Sequence, residues 1–293
     1  MKRRQLIQTL GTVAAVGSSL DAFANGFKKT EKILPGNLKN KINHSACRWC
    51  YNDIPLDDLA AKAKEIGLVG LDLLGPDDWA TVKKHGLTCS MVMSQPKGFG
   101  IPKGFNRIEN HDTLIPFYED LIKKSAAEGF KNVICFSGNR TGLDDESGMI
   151  NCAIGLKKLM PIAEKNNIVI QMELLNSKVD HKDYQCDHTL WGVNLVKAIG
   201  SENFKLLFDI YHMQIMDGDI IRNIRDYHTF FGHYHTGGVP GRNEIDDTQE
   251  LFYPIIMQAI VDTGYKGYVA QEFIPKQKDK LASLEKCVKI CDV

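Results

Sequence analysis

Three carboxylates and one imidazole stand out because each closes a short apolar run. Glu173 ends Val169-Ile170-Gln171-Met172-Glu173, and Asp209 ends Leu206-Leu207-Phe208-Asp209. His235 ends Gly232-His233-Tyr234-His235, and Glu272 ends Tyr268-Val269-Ala270-Gln271-Glu272. Crowded together, these groups would repel one another unless a cation sat among them. Three carboxylate oxygens and one nitrogen, with coordination positions left over, suit Mn2+, Mg2+, Co2+ or Zn2+. The expectation is therefore one divalent metal ion held by Glu173, Asp209, His235 and Glu272. Taken singly, an acid at the end of a strand also serves as a helix N-cap or in a loop ion pair. Four on successive strands argue for a common purpose. His212 follows Asp209 by three residues and Arg242 follows His235 by seven, and both are candidates to bind substrate oxygens. The competing readings are a packing histidine for His212 and a surface arginine paired with Glu244 for Arg242. Trp49, just past the first strand, is a candidate to stack on a sugar face or to pack under a loop.

These residues need elements that bring them to one rim. Short apolar runs predict strands over Ile42–Ala46, Gly70–Leu74, Thr88–Met93, Asn132–Phe136, Ile168–Leu174, Phe204–Ile210, Phe230–His235 and Gly267–Glu272. Between them lie segments of helical period. Pro55–Ile66 puts Leu56, Leu59, Ala60, Ala63 and Ile66 on one face, with Asp53 as its cap, Pro55 in its first turn and Gly67 as its stop. Asp112–Glu128, Cys152–Asn166, Leu190–Ile199 and Leu251–Asp262 repeat the design, three of them closed by Gly129, Gly200 and Gly264. Alternating strands and helices imply parallel strands with right-handed crossovers. Eight units in about 250 residues fit a closed (β/α)8 TIM barrel, whose active site lies at the C-terminal ends of its strands. An open doubly wound sheet would carry a glycine-rich turn after its first strand, and Ser45-Ala46-Cys47-Arg48 offers none.

The N-terminus reads as a signal peptide over residues 1–24. Lys2, Arg3 and Arg4 precede a mildly apolar stretch that ends at Ala22-Phe23-Ala24. The stretch is too short to anchor in a bilayer, and Arg3-Arg4 favours the bacterial twin-arginine route to the periplasm. Residues 25–41 read as a linker, and 42–293 as one barrel domain. Removing residues 1–24 leaves 33 basic against 35 acidic residues, so no basic footprint for nucleic acid is expected. A homo-oligomer is left open. Of the eight cysteines, Cys89 and Cys135 read as core thiols, Cys287 and Cys291 as surface spacing on a helix, and Cys47 and Cys50 as a CxxC that leaves a local disulfide open.

The motifs Glu173-Leu174-Leu175-Asn176, Phe208-Asp209-Ile210-Tyr211-His212, His233-Tyr234-His235, Val239-Pro240-Gly241-Arg242-Asn243-Glu244 and Gln271-Glu272-Phe273-Ile274-Pro275 resemble the xylose isomerase-like barrel superfamily. Within it, they resemble the hydroxypyruvate isomerase and D-tagatose 3-epimerase group. The resemblance implies that the four rim residues bind the metal, that Glu173 and Glu272 double as acid and base, and that His212 and Arg242 hold substrate. Asn176, in the first motif, joins Trp49 in the expected substrate-binding set. His235 follows the epimerases of the group, whereas the isomerases usually carry glutamine there.

The resulting expectation is isomerisation or epimerisation of a small keto- or aldo-sugar or hydroxy-keto acid through a cis-enediolate. One glutamate takes a proton from the carbon beside the carbonyl, and a glutamate returns it. The alternatives are a lyase, dehydratase or hydrolase of keto-sugars on the same barrel, an endonuclease IV-like nuclease, and a non-catalytic carbohydrate-binding protein.

Overall fold

A computed structural model describes residues 38–293. The expected signal peptide lies outside the described residues, as does the expected linker up to residue 37. The last residues assigned to that linker belong to the barrel instead. Leu38 is buried in the core, and the Lys39 backbone N–H donates to both carboxylate oxygens of Asp292 at 2.9 Å.

Eight parallel strands form the barrel: β1 (Asn43–Ala46), β2 (Gly70–Leu74), β3 (Thr88–Val92), β4 (Asn132–Cys135), β5 (Val169–Glu173), β6 (Phe204–Asp209), β7 (Phe231–Thr236) and β8 (Tyr268–Gln271). Each agrees with its sequence-based range to within one residue at either end. The sheet runs β1-β8-β7-β6-β5-β4-β3-β2. Its seam closes through one parallel bridge between Cys47, just after β1, and Asp72 in β2. Nine helices accompany the strands among the described residues: α1 (Leu56–Ile66), α2 (Trp79–Lys84), α3 (His111–Ala127), α4 (Asp145–Asn166), α5 (Thr189–Ile199), α6 (Ile210–Met216), α7 (Ile220–Tyr227), α8 (Tyr253–Asp262) and α9 (Lys280–Cys291).

The helices show where periodicity alone falls short. α1 does end at Gly67, which takes the left-handed conformation (φ 101°) and returns its N–H to Ala63 and Lys64. Asp53 does not cap α1, because Pro55 occupies the cap position and Asp53 pairs with Lys280 at 2.7 Å. α4 starts seven residues before Cys152, because Asp144 accepts from the Ser147 N–H at 2.8 Å and nucleates the helix there. α2, α6 and α7 are six to eight residues long, too short to register as a periodic stripe.

Every cysteine lies among the described residues, and each is a buried free thiol. Cys287 and Cys291 are therefore core residues rather than surface spacing, and Cys47 and Cys50 form no disulfide.

The barrel interior is polar as well as apolar. Ser45 in β1 meets Ser90 in β3 at 2.5 Å, across the width of β2. Ser90 donates to Asp72 at 2.7 Å, Asn132 donates to the Ser90 carbonyl at 2.8 Å, and Gln171 donates to Asn132 at 2.9 Å. Gly232 in β7 makes room for Gln171, since a Cβ at that position would stand 2.8 Å from its Oε1.

Candidate active site

Glu173 and Asp209 are the last residues of β5 and β6, His235 is the penultimate residue of β7, and Glu272 follows β8 directly. All four are buried. One ligand atom from each lies within 4.8 Å of the others. His235 Nδ1 is the centre of the group, 2.8 Å from Glu272 Oε2, 3.3 Å from Glu173 Oε1 and 4.0 Å from Asp209 Oδ2.

Asp209 does two jobs with its two oxygens. Oδ1 caps α6 by accepting the His212 N–H at 3.0 Å. Oδ2 faces the cluster, 3.3 Å from Arg242 Nη2 and 3.7 Å from His212 Nε2. One oxygen thus serves as a helix cap while the other is left toward the cluster.

Arg242 projects from the loop after β7 over the carboxylates. Its Nη2 donates to Glu272 Oε2 at 2.5 Å and to Asp209 Oδ2 at 3.3 Å. The guanidinium lies against the rings of Trp49 and Tyr211, 5.1 and 5.4 Å from their centroids. Arg242 does not pair with Glu244. That carboxylate accepts instead from the backbone N–H groups of Lys276 and Gln277 and from the Ser283 hydroxyl, tying the loop after β8 to the loop after β7. Trp49 packs beneath this arrangement and donates its indole N–H to Glu272 Oε1 at 2.7 Å.

His212 is fully buried. Asn176 donates to its Nδ1 at 2.6 Å, which leaves Nε2 carrying the proton toward Asp209. The Asn176 amide is taken up by protein partners. It is buried, its Oδ1 accepts from the N–H groups of Val179 and Asp180, and its Nδ2 also donates to Asp180. These bonds shape the loop after β5 and orient His212.

Electrostatics separates the acids. Burial pushes the carboxyls of Glu173 and Asp209 above the usual carboxylate range. Burial acts the same way on Glu272, but Arg242 and His235 outweigh it and hold this carboxylate well below that range. Burial disfavours charge on His235, yet Glu272 beside it raises this imidazole well above its ordinary value. His212 is held well below, first by burial and then by Arg242.

The donor set fits a divalent ion. Glu173 Oε1, a member of the set, is buried with no hydrogen-bond partner, and His235 Nδ1 faces only carboxylates. Buried polar atoms are ordinarily paired, and three buried acids crowded round one imidazole and one arginine gain from a further cation.

Sequence reasoning missed the layer below. Asp72, in the middle of β2, accepts from His235 Nε2 at 3.1 Å and lies 2.9 Å from His233 Nε2. Burial alone would raise the Asp72 carboxyl, but the two imidazoles hold it well below the carboxylate range. Cys47 Sγ stands 3.7 Å from Asp72 and 3.8 Å from His235. The signal was one acid inside the apolar run Gly70-Leu71-Asp72-Leu73-Leu74. Tyr211 was missed too, its ring against Arg242 and its hydroxyl donating to Asp180 at 2.8 Å.

Known proteins resemble the chain in sequence and in fold. The chain is 32% identical over 121 residues to a putative hydroxypyruvate isomerase of Homo sapiens, a match covering 41% of this chain and 44% of that protein. The match thus spans less than half of the human relative's length. It is 30% identical over 244 residues to a 2-oxo-tetronate isomerase of Pectobacterium atrosepticum, covering 78% of this chain and 90% of that one. Among solved structures, an AP endonuclease, family 2, from Brucella melitensis superposes with a TM-score of 0.74 at 26% identity, covering 83% of this chain and 97% of that chain. The family model described as xylose isomerase-like TIM barrel matches residues 79–287, and the chain belongs to that family.

Proposed function

We propose that the chain isomerises or epimerises a small hydroxy-keto or hydroxy-aldehyde compound, either a sugar or a hydroxy-keto acid, with one divalent ion held by Glu173, Asp209, His235 and Glu272. The observation that carries this reading is the convergence of two buried glutamates, from β5 and β8, on one imidazole. The names of the relatives make hydroxypyruvate and 2-oxo-tetronate the first substrates to test.

Bound there, a divalent ion would polarise a carbonyl and make the neighbouring C–H more acidic. The protein's own groups do the rest. β5 and β8 are separated by β6 and β7 in the ring, so a substrate between Glu173 and Glu272 meets a carboxylate on either side. One carboxylate takes the proton from the carbon beside the carbonyl. Return to the former carbonyl carbon, with the hydroxyl proton passed from one oxygen to the other, isomerises the substrate; return to the original carbon from the opposite face epimerises it. In this reading Arg242 and His212 hold substrate oxygens, and Trp49, packed against Arg242, forms part of the same wall. A lyase would begin with the same proton removal and is distinguished by its product.

The test is turnover of these substrates by protein loaded with Mn2+, Co2+, Mg2+ or Zn2+, with deuterium incorporation followed in D2O. Exchange at the carbon beside the carbonyl, together with its loss in Glu173→Gln and Glu272→Gln, is the expected result. Full turnover by either variant with metal still bound would overturn the assignment. The proposal also places the enzyme in the periplasm on the strength of residues 1–24, and activity confined to the cytoplasmic fraction of a bacterial host would contradict that.

A further inference from the structure

We propose that Asp72 is the positioning residue of this centre: from the opposite side of the barrel it holds the Nε2 edge of His235, so that Nδ1 faces Glu173, Asp209 and Glu272. The inference rests on the metal reading above for its purpose, but the contact itself does not.

Three observations carry it. The first is reach. Asp72 sits in β2 and His235 in β7, with β1 and β8 between them in the ring, so the 3.1 Å hydrogen bond crosses the barrel interior. The second is backbone geometry. The β2–β3 register shifts on both sides of Asp72, and Leu73 takes a positive φ of 58°, which favours glycine. A bulge of this kind re-aims one side chain, and such bulges gather beside active sites. Here the re-aimed side chain is Asp72. The third is that Asp72 is itself fixed. Ser90 donates to its Oδ2 at 2.7 Å, Ser45 backs Ser90, and His233 stands 2.9 Å from the same oxygen.

An imidazole has two nitrogens, and a carboxylate that accepts the proton of one aims the lone pair of the other. Such outer partners typically change metal affinity by about 10–100-fold when removed.

Asp72→Asn keeps the shape and removes the charge. Two readouts follow it, with circular dichroism to check folding. The first is the His235 Nε2–H proton resonance in metal-free protein, sheltered from exchange by Asp72. We expect it in the native protein and expect it lost or moved upfield in Asp72→Asn. An unchanged resonance overturns the proposal whether or not a metal binds. The second is titration with Co2+. We expect one ion per chain, bound about 10–100-fold more weakly by Asp72→Asn, with an altered d–d spectrum. Native affinity and spectrum in the variant overturn the proposal. Two ions per native chain with a thiolate-to-cobalt charge-transfer band also overturn it, because Asp72 and Cys47 would then be ligands themselves. If the native protein binds no Co2+ or other divalent ion, the metal reading fails while the proton resonance still decides the role of Asp72. Should Asp72→Asn fail to fold, Ser90→Ala loosens the same carboxylate and is expected to shift both readouts in the same direction by less; no shift in either overturns the proposal.

Discussion

Two buried polar layers lie inside the barrel, and they answer charge differently. The lower layer holds one acid, Asp72, and both of its oxygens have protein partners in His235, Ser90 and His233. Around it, Asn132 and Gln171 continue the chain of hydrogen bonds. The upper layer, one step nearer the strand ends, crowds three acids, Glu173, Asp209 and Glu272, round a single arginine and a single imidazole, and it leaves Glu173 Oε1 without a hydrogen-bond partner. The lower layer reads as scaffold and the upper as a socket. His235 belongs to both, with one nitrogen in each.

The largest effect expected from this contrast is on chemistry. Glu272→Gln should lower turnover by about 10²–10⁴-fold, the usual contribution of a general acid or base, whereas Asn132→Ala should leave kcat within a few-fold. Comparable losses in both would erase the distinction between the layers.

Next comes the arginine. Arg242→Gln removes the one arginine or lysine in hydrogen-bond contact with the rim acids among the described residues. In chelator-treated protein this should destabilise the fold by about 3–5 kcal/mol, as uncompensated buried charge does, and added metal should recover much of the loss. Denaturant melts with and without metal measure both quantities.

A smaller effect belongs to the lower layer. Asn132→Ala strands the Gln171 amide and the Ser90 carbonyl, which costs about 1–3 kcal/mol, with metal stoichiometry unchanged. A change in stoichiometry would mean that the layers are not separable.

The smallest effect has the opposite sign. In chelated protein at neutral pH, Glu173→Gln replaces a carboxyl whose ionisation burial opposes. Its melting temperature should equal or exceed that of the native chain. The same variant should bind metal more weakly. A clear drop in melting temperature would show that Glu173 serves the fold, not the socket.

The upper layer was legible in the sequence because each of its members follows an apolar run and ends it. The lower layer was not. Ser45, Asp72, Ser90, Asn132, Gln171 and His233 are single polar residues inside strands, and such residues also mark an outward face. Closure of the ring turns them inward, and the seam at Cys47 and Asp72 forms only in three dimensions. The irregular backbone at Leu73 has no glycine to announce it. Asn176 follows Glu173 by three residues, and proximity in sequence does not say which way a loop amide points. Strand positions were recovered because apolar runs of this length leave little choice, while the start of α4 depended on a single capping hydrogen bond at Asp144.

The eight buried thiols bear on how long the molecule lasts rather than on what it does. While the barrel is closed, burial holds them protonated; Cys287 and Cys291 are pushed up to about 12, and Cys47, Cys50 and Cys135 are raised well above the ordinary value. Protonated, enclosed thiols are inert to oxidants. One complete unfolding event in an oxidising medium would release eight nucleophiles together, with on the order of 100 ways to pair and no native disulfide to guide them. Such an event would be irreversible. The protein's useful lifetime in that setting would then be a matter of how rarely it opens, and a single added reductant should lengthen it without altering the melting equilibrium.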